Sequence, residues 1–202
     1  MGDNLDFQLF HNLLYEASRT AFLDIQRTHE NETFYFFALN IEPLFGYIFP
    51  FSNTEETLTS MAENFLVPGY HPNLSLAEAR EIVRWGTIDA PLHHEGMTFF
   101  EKVNKFLEPV TEILMEFPHD PWDEFEAFHS RLVGVCIDVL KQLDAEGIFG
   151  AGDRRNAILV NIFVGDVTDE QWLKYARELN LDVVYERVAT HLEFVRNLEM
   201  RL

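Results

Sequence analysis

The sequence predicts an α+β fold in which about six helices pack against a small, mostly antiparallel sheet. Three short apolar segments, near 34–41, 47–51 and 157–164, are rich in the aromatic and β-branched residues that are typical of strands. Most of the remaining chain repeats apolar residues at steps of three and four, which is the period of amphipathic helices. A chain of 202 residues, of which 47% are hydrophobic, suits one globular domain, predicted over 1–202.

The first strand is predicted to be buried on both faces, because FYFFALNI at 34–41 shows little alternation between apolar and polar residues. The second strand, at 47–51, follows a short turn and should pair with the first in antiparallel fashion. Pro50 lacks an N–H group, so this second strand should lie at an edge of the sheet or end there. The third strand, at 157–164, follows a glycine-rich loop.

Helix boundaries follow from capping residues and prolines. An amphipathic helix is predicted over 5–29, before the first strand. Pro109 cannot donate a helical hydrogen bond, which predicts a kink or a break near Glu108. Asp120, followed by proline, predicts the start of a central packing helix that ends at Gly147. Polar residues placed three positions before Glu or Gln predict further helix starts at Asn53, Ser75 and Thr168.

The charge balance excludes several classes of partner. The chain has 34 acidic and 15 basic residues, for a net charge of −19, so it should repel nucleic-acid phosphates and anionic membrane surfaces. No segment approaches the roughly 20 apolar residues of a membrane helix, and the acidic N-terminus does not resemble a secretory signal. The single cysteine, Cys136, cannot form an internal disulfide, which favours a reducing, cytoplasmic location.

The first candidate functional site is an acidic surface. No Lys or Arg occurs from 106 to 130, and the first three acids of this stretch are spaced four residues apart, so that on a continuous helix they would lie along one face. One interpretation is a docking surface for a basic protein, because complementary charge selects partners and speeds association. The alternative is an ordinary solvated face. The candidate residues are Glu108, Glu112, Glu116, Asp120, Asp123, Glu124 and Glu126.

The second candidate is the glycine-rich loop Gly147–Arg155. Glycines let backbone N–H groups approach a ligand, and two adjacent arginines could clamp an anion. The alternative is a helix cap and turn whose arginines pair with neighbouring carboxylates. The candidate ligand-binding residues are Gly150, Gly152, Arg154, Arg155 and, from an earlier segment, Trp85.

No catalytic residue, cofactor or metal site is predicted. His93, His94, His71 and His119 lack the paired spacing that zinc sites commonly use. Cys136 lies on the apolar face of the central helix, where a thiol is usually an inert packing residue. Sequence motifs of common hydrolases, kinases and dinucleotide-binding enzymes are also missing.

Four segments carry a resemblance to a known family: FYFFAL, SNTEETL, LKQLDAEGIFGAGDRRNAILVNIF and ARELN. Together they resemble the bacterial family called domain of unknown function 4303, over about 10–190 and most strongly at 140–180. The resemblance implies an α+β fold and a bacterial cytosolic setting. It carries no activity, but members of this kind occur near polymorphic toxin systems, which implies an immunity role.

Three functional hypotheses follow. The first is a non-enzymatic, immunity-like domain that binds a basic effector protein through its acidic surface. The second is a small-ligand-binding protein or an enzyme with a site near Trp85 and the Gly147–Arg155 loop. The third is an acidic cytosolic homodimer whose surplus apolar residues cover a self-interface.

Overall fold

The computed structural model describes residues 5–66, 74–86, 90–116, 122–165 and 167–200. Within these ranges the chain forms eight α-helices, a short 3₁₀ turn at Met97–Phe100 and three strands. The α+β class is therefore confirmed. In chain order the elements are α1 (Phe7–Thr28), β1 (Phe34–Ile41), β2 (Ile48–Thr54), α2 (Glu55–Phe65), α3 (Leu76–Val83), α4 (Glu101–Glu116), α5 (Trp122–Ala145), α6 (Asp153–Ala157), β3 (Leu159–Val164), α7 (Asp169–Leu179) and α8 (Asp182–Glu199).

The sheet is mixed, where a mostly antiparallel one was predicted. Its order is β2-β1-β3, with β1 antiparallel to β2 and parallel to β3. A parallel pair needs a long crossover connection, and the helices between β2 and β3 supply it. Because strand direction depends on how this connection packs, the local pattern of β3 could not reveal it. Pro50 lies opposite Leu39 on β2, which has one neighbouring strand in the described sheet, as predicted for an edge.

The central strand β1 is buried on both faces, as its sequence predicted. Phe37 and Leu39 belong to a core that also contains apolar residues of α1, α4 and α5. Phe36 and Ala38 belong to a second core, formed with residues of α2, α7 and α8. Two helical layers therefore cover the sheet, one on each side.

A β-bulge interrupts the pairing of β1 with β2. Phe34 pairs with Thr54 and Phe36 with Asn53, so Tyr35 is an extra residue on β1. The bulge breaks the alternation of side chains, and Tyr35 joins Phe36 in the second core. Consequently the Tyr35 hydroxyl reaches α3, where it donates a hydrogen bond of 2.8 Å to the Arg84 carbonyl.

Two helix boundaries differ from the predictions. The cap of α2 is Thr54, which forms a reciprocal capping box with Thr57, because β2 continues through Asn53. The break predicted near Glu108 is wrong, since α4 runs through Pro109 to its end at Glu116. Pro109 is exposed, and buried apolar residues on either side of it hold the two halves of α4 against the core: Val103, Leu107, Val110 and Leu114.

Arg155 joins three elements from inside the protein. Its side chain is buried, and its guanidinium donates hydrogen bonds to Asp144 Oδ1 at 2.6 Å and to the Ile158 carbonyl at 2.8 Å. It also donates to the Leu179 carbonyl at 3.1 Å and to Asn180 Oδ1 at 3.2 Å. Arg155 therefore ties the end of α5 to the start of β3 and to the end of α7.

Replacement of Arg155 by Met should lower the free energy of unfolding by about 3 kcal/mol, because it leaves Asp144 and two carbonyl groups without their partner. The adjacent Arg154 is exposed, and its one hydrogen bond to a described residue is to Gln26, so Arg154→Met is a matched control that should change stability by less than about 0.5 kcal/mol. Urea unfolding monitored by circular dichroism measures both values. Equal effects of the two substitutions would contradict the role assigned to Arg155.

Candidate functional site

The acidic row predicted on one helix face is present on α4. Glu108, Glu112 and Glu116 are exposed, lie at successive steps of four residues and form no ion pair with any described residue. Met115, beside the last of them, has 67% of its surface exposed. We call these four residues the α4 acidic row. It combines unpaired negative charge with one flexible apolar side chain.

The other predicted acids lie at the start of α5. Asp123, Glu124 and Glu126 are exposed, and the first two fall in the first helical turn, where carboxylates interact favourably with the helix dipole. Asp120 lies outside the described residues. Seven chain steps separate Glu116 from Asp123, so their Cα atoms are at most about 25 Å apart. The start of α5 therefore lies within about 25 Å of the end of α4.

The structure does not bring the predicted ligand-binding residues together. Gly150, Gly152 and Arg155 line one surface depression, beside Glu178 and Asn180, whereas Trp85 lines a different cleft. Within the loop, Gly150 has a φ of +96°, and an added Cβ would lie 2.9 Å from the Arg154 side chain. The loop geometry and the internal bonds of Arg155 thus account for these residues structurally.

Trp85 lines a cleft of about 400 Å³ between the start of α2, the end of α3 and the middle of α8. Tyr35 reaches its wall from the bulge in β1. Trp85 is half-buried and makes edge-to-face contacts with Tyr35, Phe36 and His191. We call this site the Trp85 cleft. Its lining residues include Phe34, Tyr35, Glu55, Glu81, Arg84, Trp85, Arg187 and His191.

His191 fixes the orientation of Trp85. The Trp85 Nε1–H group donates a hydrogen bond of 2.7 Å to His191 Nδ1, so a neutral ring carries its proton on Nε2. Nε2 lies 2.7 Å from a carboxylate oxygen of Glu81, but its N–H is poorly aligned with that oxygen. Burial lowers the pKa of His191, even though Glu81 opposes this shift. The ring is therefore mainly neutral near pH 7.

Three arginines lie in or beside the cleft: Arg84 and Arg187 line it, and Arg80 pairs with the lining residue Glu55. Glu55 pairs with Arg84 at 2.7 Å and with Arg80 at 2.8 Å. Arg187, by contrast, has no carboxylate of a described residue within ion-pair distance and donates only to the Asn156 and Ala157 carbonyls. Partial burial of its guanidinium, together with the charges of Arg84 and Arg155, lowers the pKa of Arg187.

Sequence reasoning missed most of this cleft, because its residues come from β1, α2, α3 and α8. Two groups of cleft residues are close together in the sequence. Glu81, Arg84 and Trp85 occur within five residues at the end of α3, and Arg187 precedes His191 by one helical turn on α8. Neither signal shows that the two groups face each other.

His29 and Cys136 are two further residues that could carry chemistry, and both are held by the surrounding structure. His29 lies between Glu32, at 2.7 Å, and Glu95, at 2.8 Å. Cys136 is fully buried, and burial raises the pKa of its thiol. No group of three or more His, Cys, Asp or Glu side chains among the described residues could hold a metal ion. His71 and His119 lie outside those residues.

The fold and these sites define an α+β domain with an acidic helix face and a cleft lined by aromatic and charged side chains. The chain belongs to the family described as Domain of unknown function (DUF4303), whose model matches residues 14–181. The predicted resemblance to this family is thereby confirmed. No curated protein and no solved structure matches the chain. No helix in the described ranges has the length and apolar character needed to cross a bilayer.

His29 and His191 should titrate on opposite sides of the ordinary histidine pKa of about 6.5. Burial opposes protonation of His29, but hydrogen bonds to Glu32 and Glu95 outweigh it and raise the pKa of the ring. Burial lowers the pKa of His191. NMR titration of the ring protons, assigned with the variants His29→Gln and His191→Gln, measures both. Equal pKa values for the two rings would contradict the described geometry.

The raised pKa of His29 also determines how the stability of the fold changes with pH. Because His29 has a raised pKa in the folded state, its contribution is fully present below about pH 6.5 and is lost as the pH rises through the folded-state value. His29→Gln should therefore destabilise the protein more at pH 6 than at pH 9. Urea midpoints at the two pH values provide the comparison.

Proposed function

We propose that this protein is a non-enzymatic binding domain of the bacterial cytoplasm that docks a basic protein through the α4 acidic row, as an immunity protein docks its effector. One observation carries the proposal: three exposed carboxylates stand in line on α4, and no described cation pairs with them. The surrounding stretch from 106 to 130 contains no Lys or Arg.

Repulsion between the carboxylates of α4 favours the binding of a basic partner. Like charges four residues apart destabilise a helix by a few tenths of a kcal/mol per pair, and the row contains two such pairs, Glu108 with Glu112 and Glu112 with Glu116. A basic surface laid against the row would relieve this repulsion. It would also be steered toward the row by the net charge of −19. Met115 offers an adaptable apolar contact at the same place.

Self-association through this face is disfavoured by the same charges. Two copies that met through the α4 acidic row would bring six carboxylates together, none of which has an ion-pair partner among the described residues of its own copy. The homodimer hypothesis therefore requires another surface, and a monomer mass that does not change with concentration would remove it.

The test of the docking proposal compares two variants with equal net charge. In the first, Glu112, Glu116, Asp123 and Glu124 become Gln. In the second, four exposed acids of other surfaces become Gln: Glu63, Glu170, Glu186 and Glu193. Tagged wild-type protein first captures partners from its native host at low salt and at high salt. The captured protein is then identified and purified, and its association rate is measured.

We expect a basic partner that is retained at low salt and released at high salt, because salt screens exposed charges. The first variant should associate about ten-fold more slowly, and the second should stay within about two-fold of wild type. Equal losses in both variants would assign the effect to net charge and contradict a specific face. No partner at either salt concentration would also contradict the proposal. Circular dichroism confirms that both variants fold.

A further inference from the structure

The Trp85 cleft differs in charge balance from the molecule as a whole. Among the described residues that line the cleft, two guanidinium groups (Arg84 and Arg187) accompany two carboxylates (Glu55 and Glu81), and His191 is mainly neutral. The charges of the lining are therefore balanced, in a chain whose net charge is −19. A lining arginine that has no carboxylate partner of its own can hold an anionic group.

Arg187 is the lining arginine that has no carboxylate partner among the described residues. Glu55 holds both Arg80 and Arg84, whereas the described partners of Arg187 are two backbone carbonyl oxygens. A guanidinium has five N–H groups, so three of those on Arg187 remain available to a ligand. This planar fork matches the two oxygens of a carboxylate.

The rest of the cleft favours a flat apolar body. Phe34, Tyr35 and Trp85 contribute aromatic surface to its wall. The Trp85 N–H is already bonded to His191, so the exposed part of this half-buried ring is mainly apolar. Tyr35 is buried behind it, with the Arg84 guanidinium over its ring. The volume of about 400 Å³ lies within the range of small-molecule pockets.

We infer that the Trp85 cleft binds a small aromatic monocarboxylate, with Arg187 as the partner of the carboxylate and Trp85 as the wall against its ring. A monoanion is favoured over a phosphate dianion, because the second charge of a dianion would lie near Glu55 and Glu81. This site is separate from the α4 acidic row, so it adds a ligand to the proposed docking function and does not depend on it.

Benzoate is the probe of this inference, with uncharged benzamide and inorganic phosphate as comparisons. NMR titration of ¹⁵N-labelled protein follows the indole N–H signals of the tryptophans, and Trp85→Phe assigns the signal of Trp85. We expect benzoate to shift the Trp85 signal, and benzamide to bind about ten-fold more weakly, because it lacks the charge-assisted contact with Arg187. This comparison requires no variant that could fail to fold.

Variants of Arg187 then test whether this residue binds the carboxylate of benzoate. Arg187→Gln should weaken benzoate binding about ten-fold and leave benzamide binding unchanged, and Arg187→Lys should give an intermediate affinity. Arg27→Gln is the matched control, because Arg27 is exposed on α1 and its ion-pair partner among the described residues is Asp24. Benzoate should bind this control as it binds wild type.

Four results would overturn the inference. They are equal binding of benzoate and benzamide, tighter binding of phosphate than of benzoate, equal losses in Arg187→Gln and Arg27→Gln, and no shift of the Trp85 signal at millimolar benzoate. A thermal melt of each variant checks that it is folded, so that a loss of affinity cannot be caused by unfolding.

Discussion

A strand that is buried on both faces must be covered by two helical layers, and β1 imposes this requirement on the chain. Its residues point alternately into two cores, so α1, α4 and α5 collect on one side, and α2, α7 and α8 collect on the other. The bulge at Tyr35 changes this alternation at one point and sends a tyrosine toward the second layer. The wall of the Trp85 cleft is a consequence, because Tyr35 there contacts both Arg84 and Trp85. Burial raises the pKa of Tyr35, which keeps its hydroxyl neutral as a hydrogen-bond donor.

The parallel pairing of β3 with β1 depends on further hydrogen bonds that hold β3 in place, because β3 reaches the sheet only after a long helical connection. Asn180 fixes one end of β3, since its amide both accepts from the Val160 N–H at 2.9 Å and donates to the Val160 carbonyl at 2.7 Å. Arg155 bonds the same asparagine and the neighbouring helix-end carbonyl of Leu179. A buried cation is tolerated here because Asp144 and three further acceptors satisfy its N–H groups. The loop that suggested anion binding from its sequence therefore holds the sheet together.

Local patterns predicted much of the fold, and long-range packing accounts for what they missed. FYFFALNI identified a doubly buried strand, Pro50 an edge, and the Ser75–Glu78 pair a capping box, because each depends on residues close in sequence. The direction of β3 and the continuity of α4 through Pro109 depend on tertiary contacts that outweigh local preference. The α4 acidic row was predictable from its period of four. The Trp85 cleft was not, because a bulge, two helix ends and the middle of α8 build it from residues far apart in the chain.

The distribution of cations explains why one protein has both an acidic helix face and a cleft that contains arginines. Basic residues are scarce, and several connect different elements: Lys141 pairs with Glu178, Arg196 with Asp169, and Arg155 with Asp144. Cations used at such junctions cannot neutralise α4, whose carboxylates stay unpaired among the described residues. Around the Trp85 cleft the arginines lie close together, since Glu55 pairs with two of them and the described partners of Arg187 are backbone carbonyls. The net charge of −19 is thus distributed unevenly over the molecule.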